Sequence, residues 1–179
     1  VKLMADFSRQ SGRKVTFTLV QSPDYAPDTW ERLLEMVVTA NQTGAQLYPQ
    51  VSSRPIGLAS GLSGYHAFQR RPTYMKLAHL PLAERAREMA KPEIKAAIMS
   101  ETDVLVDQPG SMANMYQLFQ TAAMFLYPLA DPVDYEPDPS EMLGSRAAAT
   151  GQDVLDLLYD YLLEQDGAAM CALMGGPNV

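Results

Sequence analysis

Cysteine occurs once in 179 residues, at Cys171, so the chain can close no disulfide on itself. Apolar neighbours make that thiol read as a small core residue. A nucleophilic role would need a nearby base that the sequence does not supply. A reduced, cytoplasmic setting is the default expectation for such cysteine usage. Positive charge is also scarce. Fourteen Lys and Arg stand against 21 Asp and Glu, a net charge of −7, and no basic cluster is present to neutralise a phosphate backbone. Nucleic acid is therefore a poor partner. No apolar run approaches the roughly 20 residues that cross a bilayer, which argues against a membrane span. Histidine occurs twice, at His66 and His79, a separation that pairs two ligands on neither a helix nor a strand. A structural or surface role fits His66, and His79 reads as a helix-end residue. The carboxylates from Asp131 to Asp138 lack the glycine and terminal glutamate of a calcium loop, so a solvated loop is expected there. No internal repeat or low-complexity tract is present. The start, Val1-Lys2-Leu3-Met4, is neither a signal peptide nor an initiator. The end, Gly175-Gly176-Pro177-Asn178-Val179, follows an apolar run directly. The expectation is a piece of a longer chain.

What is present suffices for a core: 47% hydrophobic and 20% charged residues, enough for one domain or part of one. Leu3, Met4 and Phe7 lie at helical spacing before Gly12. Val15 to Val20 is β-branched and aromatic, a strand apolar enough to be buried on both faces. Asp28 and Glu31 have capping-box spacing ahead of a stripe of Trp30, Leu33, Leu34, Val37 and Val38. Gly44 ends that helix, and Ala45 to Tyr48 reads as the next strand. Strand, helix and strand in about 30 residues predict a parallel βαβ unit over 1–54. From Pro55 the strand pattern stops. Gly57, Gly61 and Gly64 read as a bend into a mainly helical excursion over 55–150. Pro72, Pro81 and Pro92 each start a helix there. Residues 111 to 120 read as helix and Ala122 to Tyr127 as a short strand. The Asp131 to Pro139 run cannot be regular. Over 151–179, Thr150 and Asp153 resemble a cap and its partner, Val154 to Leu162 an apolar helix, and Ala168 to Met174 a last strand.

Three stretches carry a resemblance: "RPIGL" at Arg54–Leu58, "LPLAERAREM" at Leu80–Met89 and "DPVDYEPDP" at Asp131–Pro139. In this order, and with "RKVTFTLVQSPDY" and "YPQVSSRPIGLASGL" ahead of them, the chain resembles the middle of amidohydrolases of the N-acyl-D-amino-acid deacylase type. The resemblance covers nearly the whole chain. It implies an α/β fold, a partial TIM-like (β/α) barrel with a helical insertion after the second strand. It further implies a divalent metal, usually zinc, in the full-length protein, and hydrolysis of a non-peptide C–N bond in N-acyl-D-amino acids or similar amides. The chain departs from the pattern where the metal chemistry lies. No histidine precedes His66, so the His-x-His pair of the first barrel strand has no match. Leu19, Val20 and Gln21 stand where one branch carries a histidine ligand. Where relatives often read His-Pro-Phe, this chain has Ala67 after His66. No catalytic residue and no metal ligand is therefore assigned within this chain, which alone is expected to be inactive.

The expected contribution is to substrate binding, since ligands sit at the carboxyl ends of parallel strands. Those ends are Gln21 and the run Gln50 to Arg54. Arg54 has the planar guanidinium that suits the substrate carboxylate. Gln50 and Gln21 can orient an amide, and Ser52, like Ser53, is a weaker candidate because serine is common turn chemistry. The alternative is a non-catalytic binding module that retains a degenerate barrel segment. Open sheet edges and apolar helix faces in an isolated segment would favour self-association.

Overall fold

The computed structural model describes residues 1–19, 28–51, 57–108, 111–134 and 136–174. The chain divides into two compact units, residues 1–56 with 175–179, and residues 57–174. Each has its own hydrophobic cluster.

The first unit is built on a parallel strand pair. Helix α1 (Lys2–Ser11) stops at Gly12, whose φ of 65° is left-handed and suits a residue without Cβ. Strand β1 (Val15–Thr18), helix α2 (Thr29–Gln42) and strand β2 (Leu47–Gln50) follow. β1 pairs with β2 in parallel, Val15 opposite Leu47 through Thr18 opposite Gln50. This is the predicted βαβ unit. Its burial corrects one expectation. β1 alternates half-buried and exposed residues instead of being covered on both faces, because α1 and α2 contribute core to one face only. Val15, Phe17 and Leu47 meet Ala5, Val37 and Ala40 on that face. The α2 stripe is likewise narrower than its sequence pattern: Val37 is buried, while Leu34 and Val38 are exposed. Asp28 occupies the N-cap position of α2, but its side chain makes no capping hydrogen bond, so the capping box does not form.

Side chains close the seams between these elements. The Ser8 hydroxyl donates to Arg13 O (2.7 Å) and accepts from the Gln46 amide (2.9 Å). It thus stands in for a peptide group before the ladder starts. The Asn41 carboxamide binds both backbone groups of Leu47: Nδ2 donates to Leu47 O (2.9 Å) and Oδ1 accepts from Leu47 N–H (2.8 Å). Leu47 is only 1% exposed, so water cannot replace these bonds freely. Asn41→Ala should cost about 2 kcal/mol, the desolvation cost of stranding a donor and an acceptor. The sole tryptophan, Trp30, lies in this unit. Its fluorescence during urea unfolding reads the loss directly, and an unchanged midpoint would refute the assignment.

The second unit opens with a strand the sequence pattern did not suggest. Gly57–Gly61 forms β3, not a bend. Its composition has little β propensity, and pairing with a distant strand overrides that. β3 runs antiparallel to β5 (Met170–Met174), Gly57 opposite Met174 and Ser60 opposite Cys171. β4 (Leu126–Pro128) flanks the other side of β5, giving the order β3-β5-β4. Helices α3 (Pro72–Leu77), α4 (Leu82–Met89) and α5 (Pro92–Ser100) follow the proline punctuation, with Pro81 one position outside α4 as its N-cap. The expected helix at 111–120 is a short 3-10 turn followed by α6 (Met115–Thr121). Helix α7 (Leu143–Thr150) was not expected. Thr150 ends it, so Asp153 is not the partner of a Thr150 cap. Asp153 caps α8 (Val154–Leu163) by itself, its carboxylate accepting from Leu155 N–H (2.9 Å) and Asp156 N–H (3.1 Å).

The core of this unit is large, with Tyr116, Tyr159, Phe68 and Phe119 each 1% exposed or less. Tyr159 donates its hydroxyl to Met89 O (2.9 Å), which ties α8 to α4. Lys95 of α5 reaches both Asp156 (2.8 Å) and Asp160 (2.7 Å) of α8. Among the described residues the sheets are a parallel pair and an antiparallel triplet. The fold is mixed α/β, with no closed barrel among them. No described helix is long and apolar enough to cross a membrane.

Candidate functional site

Alternation along β1 and β2 sorts their residues into two faces. Val15, Phe17 and Leu47 face the helices. Thr16, Thr18, Tyr48 and Gln50 are exposed and share the other face. The register places Thr16 beside Tyr48 and Thr18 beside Gln50. The ladder continues past both strands, with Leu19 N–H donating to Gln50 O (2.9 Å). Gln50 is therefore fixed through its backbone, and its exposed side chain at the carboxyl end of β2 donates from Nε2 to Tyr48 O (3.4 Å), leaving Oε1 and the second N–H open. At the other end of the face, Lys14 Nζ lies 5.4 Å from the Tyr48 ring centroid, a cation–π contact.

Of the residues singled out from the sequence, Gln50 lies where the βαβ reading put it. Gln21, Ser52 and Arg54 lie outside the described residues. Thr18 was missed. Nothing in the run of sequence marks it, because its place beside Gln50 depends on the strand register. Leu19, one of the three residues standing where one branch has a histidine, is 4% exposed. It packs as an apolar residue.

The two histidines are far from equivalent. His79 is exposed just beyond α3. His66 is wholly buried. Its Nδ1 accepts the Phe68 amide at 3.2 Å, and its backbone N–H donates to Gln69 Oε1 at 3.3 Å. The proton therefore resides on Nε2. The ring stands edge-on to Tyr74, 4.4 Å between centroids. Burial, reinforced by the Arg85 charge, pushes the His66 pKa down to about 3. Polar contacts brace this loop. Gln120 Nε2 donates to Ala67 O (2.7 Å) and to Asp103 (3.0 Å), and Asp103 pairs with Arg71 at 3.1 Å. Glu101 accepts from the Thr73 amide (2.9 Å) at the start of α3. His66 is a structural residue, not a surface one.

The described residues do not fit a zinc site. No three His, Cys, Asp or Glu side chains cluster among them. One nitrogen of His66 is already used inside a closed core. Burial pushes the Cys171 thiol up to about 12, far from the thiolate that a metal or a nucleophilic step requires. The exposed carboxylates at Asp131 and Asp134 lie in an irregular segment.

No family model, curated protein or solved structure matches this chain. The chemistry of its open strand face is thus the basis for a functional reading, together with the resemblance in its motifs.

Proposed function

We propose that this chain is the central part of a metal-dependent amidohydrolase of the N-acyl-D-amino-acid deacylase type. It supplies a barrel segment and substrate contacts, not the metal cage. One observation carries the reading: β1 and β2 are parallel across α2 and end together at Thr18 and Gln50. Parallel (β/α) architectures bind their ligands at that end. Gln50 presents a carboxamide there, suited to orienting a substrate amide. Arg54, four residues further along the chain, takes the substrate carboxylate, with Gln21 and Ser52 as additional polar contacts. Zinc, which the resemblance implies, draws its ligands from other parts of the enzyme.

The 179-residue chain should hydrolyse no N-acetyl-D-amino acid when supplied with zinc. The longer protein that contains it should do so, and Arg54→Ala there should raise KM by about a hundredfold, the scale of a charge-assisted bidentate contact. Activity of the short chain would refute the division of labour. A longer protein that binds these compounds without turning them over would instead support a non-catalytic binding module. Buried, apolar Leu19 favours that second reading.

A further inference from the structure

The resemblance and the sequence pattern point to Gln50 and, past the end of β1, to Gln21, but neither marks Thr18. The strand register does. Thr18 is the exposed residue of β1 directly opposite Gln50, about 4.8 Å away across the ladder. The Gln50 backbone is held by the parallel hydrogen bonds, including Leu19 N–H to Gln50 O, and Thr18 is fixed between Phe17 and Leu19, the residues of its own strand that face β2. Both side chains leave the sheet on the same face, in the layer closest to the carboxyl ends. In a parallel barrel that layer borders the ligand, while layers below it fill the interior. Thr16 and Tyr48, one layer down, belong to the filling set by the same argument.

We infer that Thr18 and Gln50 together form the contact for the substrate's amide group. The Gln50 carboxamide offers both a donor and an acceptor, and the Thr18 hydroxyl can serve as either. A secondary amide needs one of each, at its N–H and its carbonyl. A carboxylate needs donors only and is better served by a guanidinium. The pair therefore reads the acyl-amide end of an N-acyl amino acid and is indifferent to the acid end. This rests on the proposed deacylase function, and its test separates the two.

In the full-length protein, Thr18→Val keeps the shape and β preference of the side chain and removes its hydroxyl. It should raise KM for an N-acetyl-D-amino acid about tenfold, with kcat within about threefold of wild type. Thr18→Ser, which restores the hydroxyl, should return KM to within about twofold. The matching N-acetyl amine, which lacks the carboxylate, should lose the same factor as a competitive inhibitor of Thr18→Val. An unchanged KM in Thr18→Val would overturn the inference and leave the deacylase reading standing. So would a loss that disappears with the carboxylate-free inhibitor, since that places Thr18 at the acid end. A full-length protein that neither binds nor hydrolyses these compounds removes the reading and the inference together.

Discussion

Acid should unfold the 57–174 unit well before ordinary carboxylate titration accounts for it, and His66 should be the cause. The folded state holds His66 neutral, with a pKa lowered from 6.5 to about 3 by burial and by Arg85. The unfolded chain protonates it near 6.5. Above that pH neither state binds the proton, and the stability contribution is constant. Below it the unfolded state binds a proton that the folded state refuses. Stability then falls by about 1.4 kcal/mol per pH unit until the folded pKa is reached. Protonation inside the core would also put a hydrogen on Nδ1, facing the Phe68 N–H it now accepts from. Tyr74 and Arg85 offer no countercharge, since Arg85 is itself cationic and donates to the Tyr74 hydroxyl at 3.0 Å. His66→Asn keeps an acceptor near Phe68 and cannot titrate. The stability difference between wild type and His66→Asn should shrink by about 1.4 kcal/mol for each unit from pH 6.5 towards 4. Circular dichroism during urea unfolding measures it, and Trp30 reports the other unit separately. Parallel pH profiles for the two proteins would sink the argument.

The second large effect is a glycine to alanine change that helix propensity alone would predict to stabilise. Gly144 is the second residue of α7. An added Cβ would lie 2.6 Å from Met124 O and 3.0 Å from Met124 Cβ. The first of these is a backbone atom, so no rotamer change relieves it. Alanine gains up to about 1 kcal/mol of helix propensity. Separating α7 from the turn before β4 costs more, because overpacking of fixed backbone typically takes 1–3 kcal/mol and lies higher when nothing can yield. A net loss of about 2 kcal/mol is expected for Gly144→Ala. Gly64→Ala, where no atom lies within 4 Å, should stay within about 0.5 kcal/mol. Thermal melts of the two variants decide the matter. Equal melting temperatures would mean that α7 shifts freely.

These two residues also mark the limit of what the sequence could convey. Punctuated elements were legible. Gly12 and Gly44 bound the first two helices, and prolines open α3 and α5. The parallel unit followed from spacing. Elements defined by distant partners were not legible. Gly57–Gly61 is a strand only because β5 lies beside it. Leu143–Thr150 is rich in small residues that suit a tight fit against the Met124 backbone, and these carry little periodic signal. The face-to-face burial expected for β1 failed because apolarity says nothing about how many layers a sheet receives. The site divides in the same way. Gln50 could be read from its place after an apolar run, whereas Thr18 required the register. His66 could be doubted as a ligand from spacing alone, but its tautomer and depressed basicity come from the Phe68 amide and the closed core around it.

The clasp of Asn41 on Leu47 gives the parallel pair a direction of growth. Parallel pairing turns the peptide groups of Gln46, Tyr48 and Gln50 towards β1, so those of Leu47 and Pro49 face outwards. Asn41 occupies both groups of Leu47, and Pro49 has no N–H to give. Along β2 itself the outer side thus offers a newcomer no donor, and the next outward amide is that of Val51. On β1, Thr16 and Thr18 turn their peptide groups away from β2. Among the described residues no strand pairs with the outer edge of β1, so a strand joining this sheet there can zip along its full length, but on the far side it must catch hold beyond Gln50. The two borders of one small sheet are therefore unequal, and the choice between them is made by one asparagine and one proline.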